Sequence, residues 1–79
     1  MNDIYQTHDH ILVFRTNINR KKHVRTISPL LNGCDTIKKW NVDLSDIDNV
    51  LRIEATHSDC APVIELVKQA GYACEELTD

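Results

Sequence analysis

Apolar residues first gather in the run His10-Ile11-Leu12-Val13-Phe14-Arg15-Thr16, whose length and β-branched and aromatic content suit a buried central strand. The period then changes. Val24, Ile27 and Leu31 recur at helical spacing until Asn32-Gly33 supplies a stop, which predicts a helix with Asn17 or Asn19 as its N-cap. Pro29 falls inside it, where it removes a backbone hydrogen bond and crowds the preceding turn, so a kink or a loosened last turn is expected. From Ile37 to Leu44 the pattern alternates, with Trp40, Val42 and Leu44 on one face and Lys39, Asn41 and Asp43 on the other, as in a half-buried strand. The turn-rich stretch Ser45-Asp46-Ile47-Asp48-Asn49 leads into a further strand from Val50 to Ala55, with Leu51, Ile53 and Ala55 on one side, and the pair reads as a hairpin. Ser58 or Asp59 can cap a second helix, Pro62 fits its first turn, and Val63, Leu66, Val67 and Ala70 form its apolar stripe before Gly71. Tyr72 to Leu77 reads as a short last strand.

The order is therefore βαββαβ. Two helices with single apolar stripes and a sheet with one apolar face can bury each other only if both helices pack on that face. Right-handed crossovers then put the first and third strands in the centre. The expected fold is α+β and ferredoxin-like: a four-stranded antiparallel sheet with two helices on one face. Residues 10–79 form this domain, and residues 1–9, which show no periodicity, read as a flexible N-terminal segment.

With 79 residues there is room for one domain, near the size where a hydrophobic core only just offsets chain entropy. No apolar run approaches the roughly 20 residues needed to span a bilayer, so membrane insertion is not expected. The polar start, Met1 to His10, lacks the basic and apolar regions of a secretory signal, and a cytoplasmic location is expected by default. Cys34, Cys60 and Cys74 are odd in number and widely spaced, which argues for reduced thiols rather than a disulfide framework. A net charge of −3 argues against general nucleic-acid binding, which normally needs a basic excess. The charge is uneven, however. Arg20, Lys21, Lys22, His23 and Arg25 form a basic block, while residues 43–48 and 75–79 are acidic.

The strand Ile11 to Phe14, the helix Val24 to Leu31, the stretch Ile37-Lys38-Lys39-Trp40-Asn41-Val42-Asp43-Leu44 and the Ala70-Gly71-Tyr72 before the last strand together resemble the heavy-metal-associated (HMA) domain family, which includes small copper chaperones and the amino-terminal domains of metal-transporting ATPases. The resemblance covers about residues 10 to 77 and implies the same ferredoxin-like fold. Members of that family hold a soft metal in a Met-x-Cys-x-x-Cys loop after the first strand, because two thiolates at that spacing grip Cu(I). Counted back from Val24, the two cysteine positions fall on Asn17 and Arg20 and the methionine position on Arg15. None is a soft ligand, so the resemblance implies the fold without the usual Cu(I) loop.

Two candidate sites remain. In this topology the start of the first strand lies at the same end of the sheet as the connections around Cys34 and Cys60, so His10, Cys34, His57 and Cys60, with His8, could converge on Zn or Cu as an alternative metal-trafficking site. Cys60 has a second reading, because a thiol in the first turn of a helix is made more reactive by the helix dipole. The basic block at the start of the first helix is not there for helix stability, since cations are unfavourable at a helix N-terminus. In the resembled family this helix docks acidic partners, which implies a partner-binding surface at Arg20, Lys21, Lys22 and Arg25. Pairing through an edge strand, with another protein or in a homodimer, is a second route. No Ser-His-Asp arrangement, paired catalytic carboxylates or glycine-rich phosphate loop is present, so neither an enzyme nor a resident cofactor is expected. The leading expectation is a protein-interaction or regulatory module.

Overall fold

In the computed structural model, which describes residues 10–77, the chain forms β1 (His10–Thr16), α1 (Lys21–Asn32), β2 (Ile37–Val42), β3 (Leu51–Ala55), α2 (Ala61–Gln69) and β4 (Cys74–Glu76). The sheet order is β2-β3-β1-β4, and every neighbouring pair is antiparallel. This is the ferredoxin-like arrangement expected from the hydrophobic pattern. The reading of residues 1–9 as flexible lies outside the described residues, as does His8.

Alternation puts Leu12 and Phe14 of β1, Leu51, Ile53 and Ala55 of β3, and Cys74 of β4 on the buried face, where Ile27 and Leu31 of α1 and Val63 and Val67 of α2 close over them. Trp40, Val42 and Leu44 also point to that side, but β2 is an edge strand and they are only half covered. Ile18, between β1 and α1, is completely buried and adds a plug at that end of the core.

Several local expectations are adjusted. Asn17 and Asn19 are not N-caps of α1: Arg20 occupies that position, with extended backbone and no side-chain cap bond. The first turn instead begins beside His23, whose Nδ1 accepts the Asn19 N–H at 3.3 Å. α1 runs through Pro29, and the Gly33 N–H still reaches the Pro29 carbonyl at 3.1 Å, so the last turn closes. Pro29 lies so near the helix end that the lost bond affects little beyond that turn. Asp59 does cap α2, its Oδ1 accepting the Ala61 N–H at 3.1 Å, while the N-cap residue itself is Cys60. β2 ends at Val42 rather than Leu44 and contains an irregularity between Ile37 and Lys39; β4 is confined to Cys74–Glu76. Tyr72 is held instead by its N–H to the Val67 carbonyl and by ring contact with His23 at 5.0 Å.

Candidate functional site

The connection from β1 to α1, where the resembled family carries its metal, is filled by the protein's own hydrogen bonds. Thr16 is the one buried polar residue among those described; its hydroxyl donates to the Asn49 carbonyl at 2.7 Å and accepts the Ile18 N–H at 3.1 Å. The Thr16 N–H donates to the Asp48 carbonyl at 3.1 Å. Asn17, at the first cysteine position, turns its Oδ1 to the Ala73 N–H at 2.8 Å and so ties the loop to the start of β4. Arg15, at the methionine position, pairs with Asp48 at 3.3 Å and Glu75 at 3.2 Å. These two ion pairs are solvent-exposed and contribute little stability, but they place a cation where a soft-metal site would need a thioether. The loop is thus a structural joint between β1, β4 and the β2–β3 connection.

The four proposed metal ligands do not assemble as a set. His10 and His57 line a common recess with Thr36, Thr56, Ser58, Asp59 and Pro62, but Cys34 and Cys60 are not part of it. The Cys34 sulfur lies 3.2 Å from the Thr36 hydroxyl, and the Cys60 thiol faces the Ser58 carbonyl at 3.9 Å. Among the described residues no group of three or more His, Cys, Asp or Glu side chains is placed to hold an ion. Chain topology brought these segments to one end of the sheet, yet neighbouring side chains left them pointing to different partners.

The reactive-thiol reading of Cys60 is also corrected. Partial burial pushes its thiol up, and the nearby Glu76 carboxylate adds to that, which outweighs any help from the helix dipole. Cys74 is more extreme, its pKa pushed up to about 11 by burial in the core. At neutral pH both stay protonated and poorly nucleophilic.

The basic block divides on the helix. Lys21 and Arg25, one turn apart, face β2 and line a groove of about 460 Å³ with Val24, Trp40, Asn41, Val42 and Leu44. Arg20 and Lys22 are exposed outside this groove. No ion pair engages Arg20, Lys21, Lys22 or Arg25 among the described residues. The Trp40 indole N–H donates to the Asn32 side chain at 2.8 Å, which fixes the ring at the groove's other end. Trp40, on the apolar face of a half-buried strand as its alternation predicted, is half core and half groove wall, because only one neighbouring strand covers it.

No protein-family model matches the chain. Among curated proteins it is 38% identical over 55 residues to the GTPase Der of Levilactobacillus brevis, an overlap of 70% of this chain but only 13% of that protein's length. Among solved structures, the apo HMA domain of the copper chaperone for superoxide dismutase superposes with a TM-score of 0.73 at 17% identity, over 89% of this chain and 68% of that one. The yeast copper transporter domain CCC2A superposes equally well, at 0.73 and 17%, covering 87% and 96% of the two chains. The Atx1-Cu(I)-Ccc2a complex also matches, with a TM-score of 0.70 at 18% identity over 87% and 96%. The protein therefore has the ferredoxin-like fold of HMA domains. Identities this low define a fold rather than a function.

Proposed function

We propose that this chain is a non-enzymatic interaction or regulatory module, an HMA fold whose metal loop has become a structural joint and whose α1 face docks an acidic protein surface. The observation that carries this reading is the occupied loop: Thr16 and Asn17 spend their polar atoms on Asn49, Ile18 and Ala73, and no thiolate is available there. Beside it stand the exposed cations Arg20, Lys21, Lys22 and Arg25, which make no ion pair among the described residues, a poor arrangement for holding a metal cation and a favourable one for an anionic surface. Solved neighbours of this fold include a complex between two such proteins, which supports a partner-binding use of the scaffold.

Two measurements test the proposal. Calorimetric titration of the reduced protein with Zn²⁺ and with Cu(I) should give no stoichiometric complex. Stoichiometric binding abolished by His57→Ala and Cys60→Ala would install the metal-trafficking alternative. The protein should be retained on immobilised polyglutamate in a salt-sensitive manner, and the double variant Lys21→Glu, Arg25→Glu should lose that retention. Retention unchanged by the charge reversal would reject the α1 face.

A further inference from the structure

The groove beside α1 has a second property that a charged helix face alone does not have. Its floor is the β2 edge of the sheet, which no strand among the described residues covers. In β2, Asn41 lies opposite Arg52, and the Asp43 N–H donates to the Val50 carbonyl at 2.8 Å. Hydrogen-bonding positions alternate along an antiparallel ladder, so Asn41 and Asp43 direct their backbone groups to β3, while Trp40 and Val42 direct theirs outward. The same two residues turn their side chains into the groove. Backbone donors and acceptors, an apolar floor of Val24, Trp40, Val42 and Leu44, and the cations Lys21 and Arg25 thus converge on one strip about a strand wide.

We infer that this strip binds an extended acidic segment of a partner protein as a fifth strand, antiparallel or parallel to β2, with apolar side chains seated against Trp40 and Val24. The inference rests on the docking reading above and specifies its partner. Charge selects the occupant. Lys21 and Arg25 overhang the groove, and no ion pair engages either among the described residues, so the groove wall is basic although the protein carries a net charge of −3. Such a wall repels another basic strand and favours one carrying carboxylates. Main-chain pairing provides affinity that depends little on sequence, and the alternate side chains meeting the apolar floor provide selectivity. A nucleic-acid strand could not use the outward N–H and C=O groups of Trp40 and Val42 as a ladder.

The probe is a capped octapeptide of alternating valine and glutamate. Trp40 is the only tryptophan, so its emission reports the groove directly, and hydrogen exchange at the Trp40 and Val42 amides reports the edge. Saturable change in emission with slowed exchange at both amides is the expected result. A central proline in the peptide should weaken binding by about tenfold by removing a ladder donor. The double variant Lys21→Glu, Arg25→Glu should weaken it by a similar factor, about tenfold, while a valine–lysine octapeptide should not bind. If the proline peptide binds equally well, or the octapeptide fails while polyglutamate is still retained, strand addition is overturned and the docking reading stands. If the charge-reversed protein binds the octapeptide and polyglutamate as well as the parent, both fall. Tighter binding of a single-stranded oligonucleotide, or concentration-dependent protection of the two amides without peptide, would overturn the inference in favour of nucleic acid or of a second copy of this chain.

Discussion

Thr16 shows how much one hydroxyl can organise. It serves as donor to Asn49 and acceptor for Ile18 in a buried position, so removing it leaves both backbone groups without a partner. Thr16→Val, nearly the same shape, should therefore cost about 1–3 kcal/mol, read as a lower denaturant midpoint with an unchanged slope. Asn49, which offers its carbonyl to Thr16, sits at a φ of 47°, a left-handed conformation that asparagine tolerates better than most residues. The thiols act at this scale too. Cys74 keeps its proton more tightly when folded than when unfolded, its pKa rising from 9.0 to about 11, so unfolding becomes easier once the pH passes the ordinary thiol range. Stability should hold up to the ordinary thiol value of 9.0 and fall as the pH rises toward 11, and Cys74→Ala should flatten that slope in chemical denaturation across the same range. Asp43 behaves in the opposite sense. Hydrogen bonds from the Ser45 hydroxyl and N–H hold its carboxyl below the usual value, so its contribution is present at neutral pH and is lost on acidification.

Helix ends show the two different reasons a glycine is needed. Gly71, after α2, has a φ of +97° with open space around its α-carbon, so conformation alone demands it. Gly33, after α1, has an ordinary helical φ of −83°, but an added Cβ would come within 3.1 Å of the Pro29 carbonyl oxygen. Gly71→Ala should lower stability by about 1–2 kcal/mol from backbone strain, with Gly71→Asn recovering part of the loss. Gly33→Ala should cost less, because Pro29, whose carbonyl it would meet, is itself exposed and need give by only a few tenths of an ångström. Thermal unfolding of the three variants checks the ranking.

For the whole molecule, the decisive feature is that the sheet has two unequal edges. β4 is short and tied by Asn17 and Arg15 to the β1–α1 joint. β2 is longer and is overhung by the cations of α1. The loop that would carry metal in the resembled family is consumed in holding the first edge, whereas the second borders the groove lined by Lys21, Arg25 and Trp40. No helix among the described residues is long and apolar enough to cross a membrane.

The alternation and helical spacing of apolar residues determined element order, the central position of β1 and β3 and most of the core, because those periods report directly which face each element buries. The lack of cysteine between Thr16 and Arg20 was equally plain. What took its place was not, since the Asn17 and Thr16 bonds reach residues far along the chain and no local pattern announces them. The same limit explains the failure of the His10, Cys34, His57 and Cys60 set: topology predicts which segments share an end of the sheet, but side-chain direction depends on packing. It explains, too, why the basic block split. Helix spacing put Lys21 and Arg25 on one side, but only the tertiary structure made that side the wall of a groove over the open edge of β2, because an edge exists only once the strands have paired.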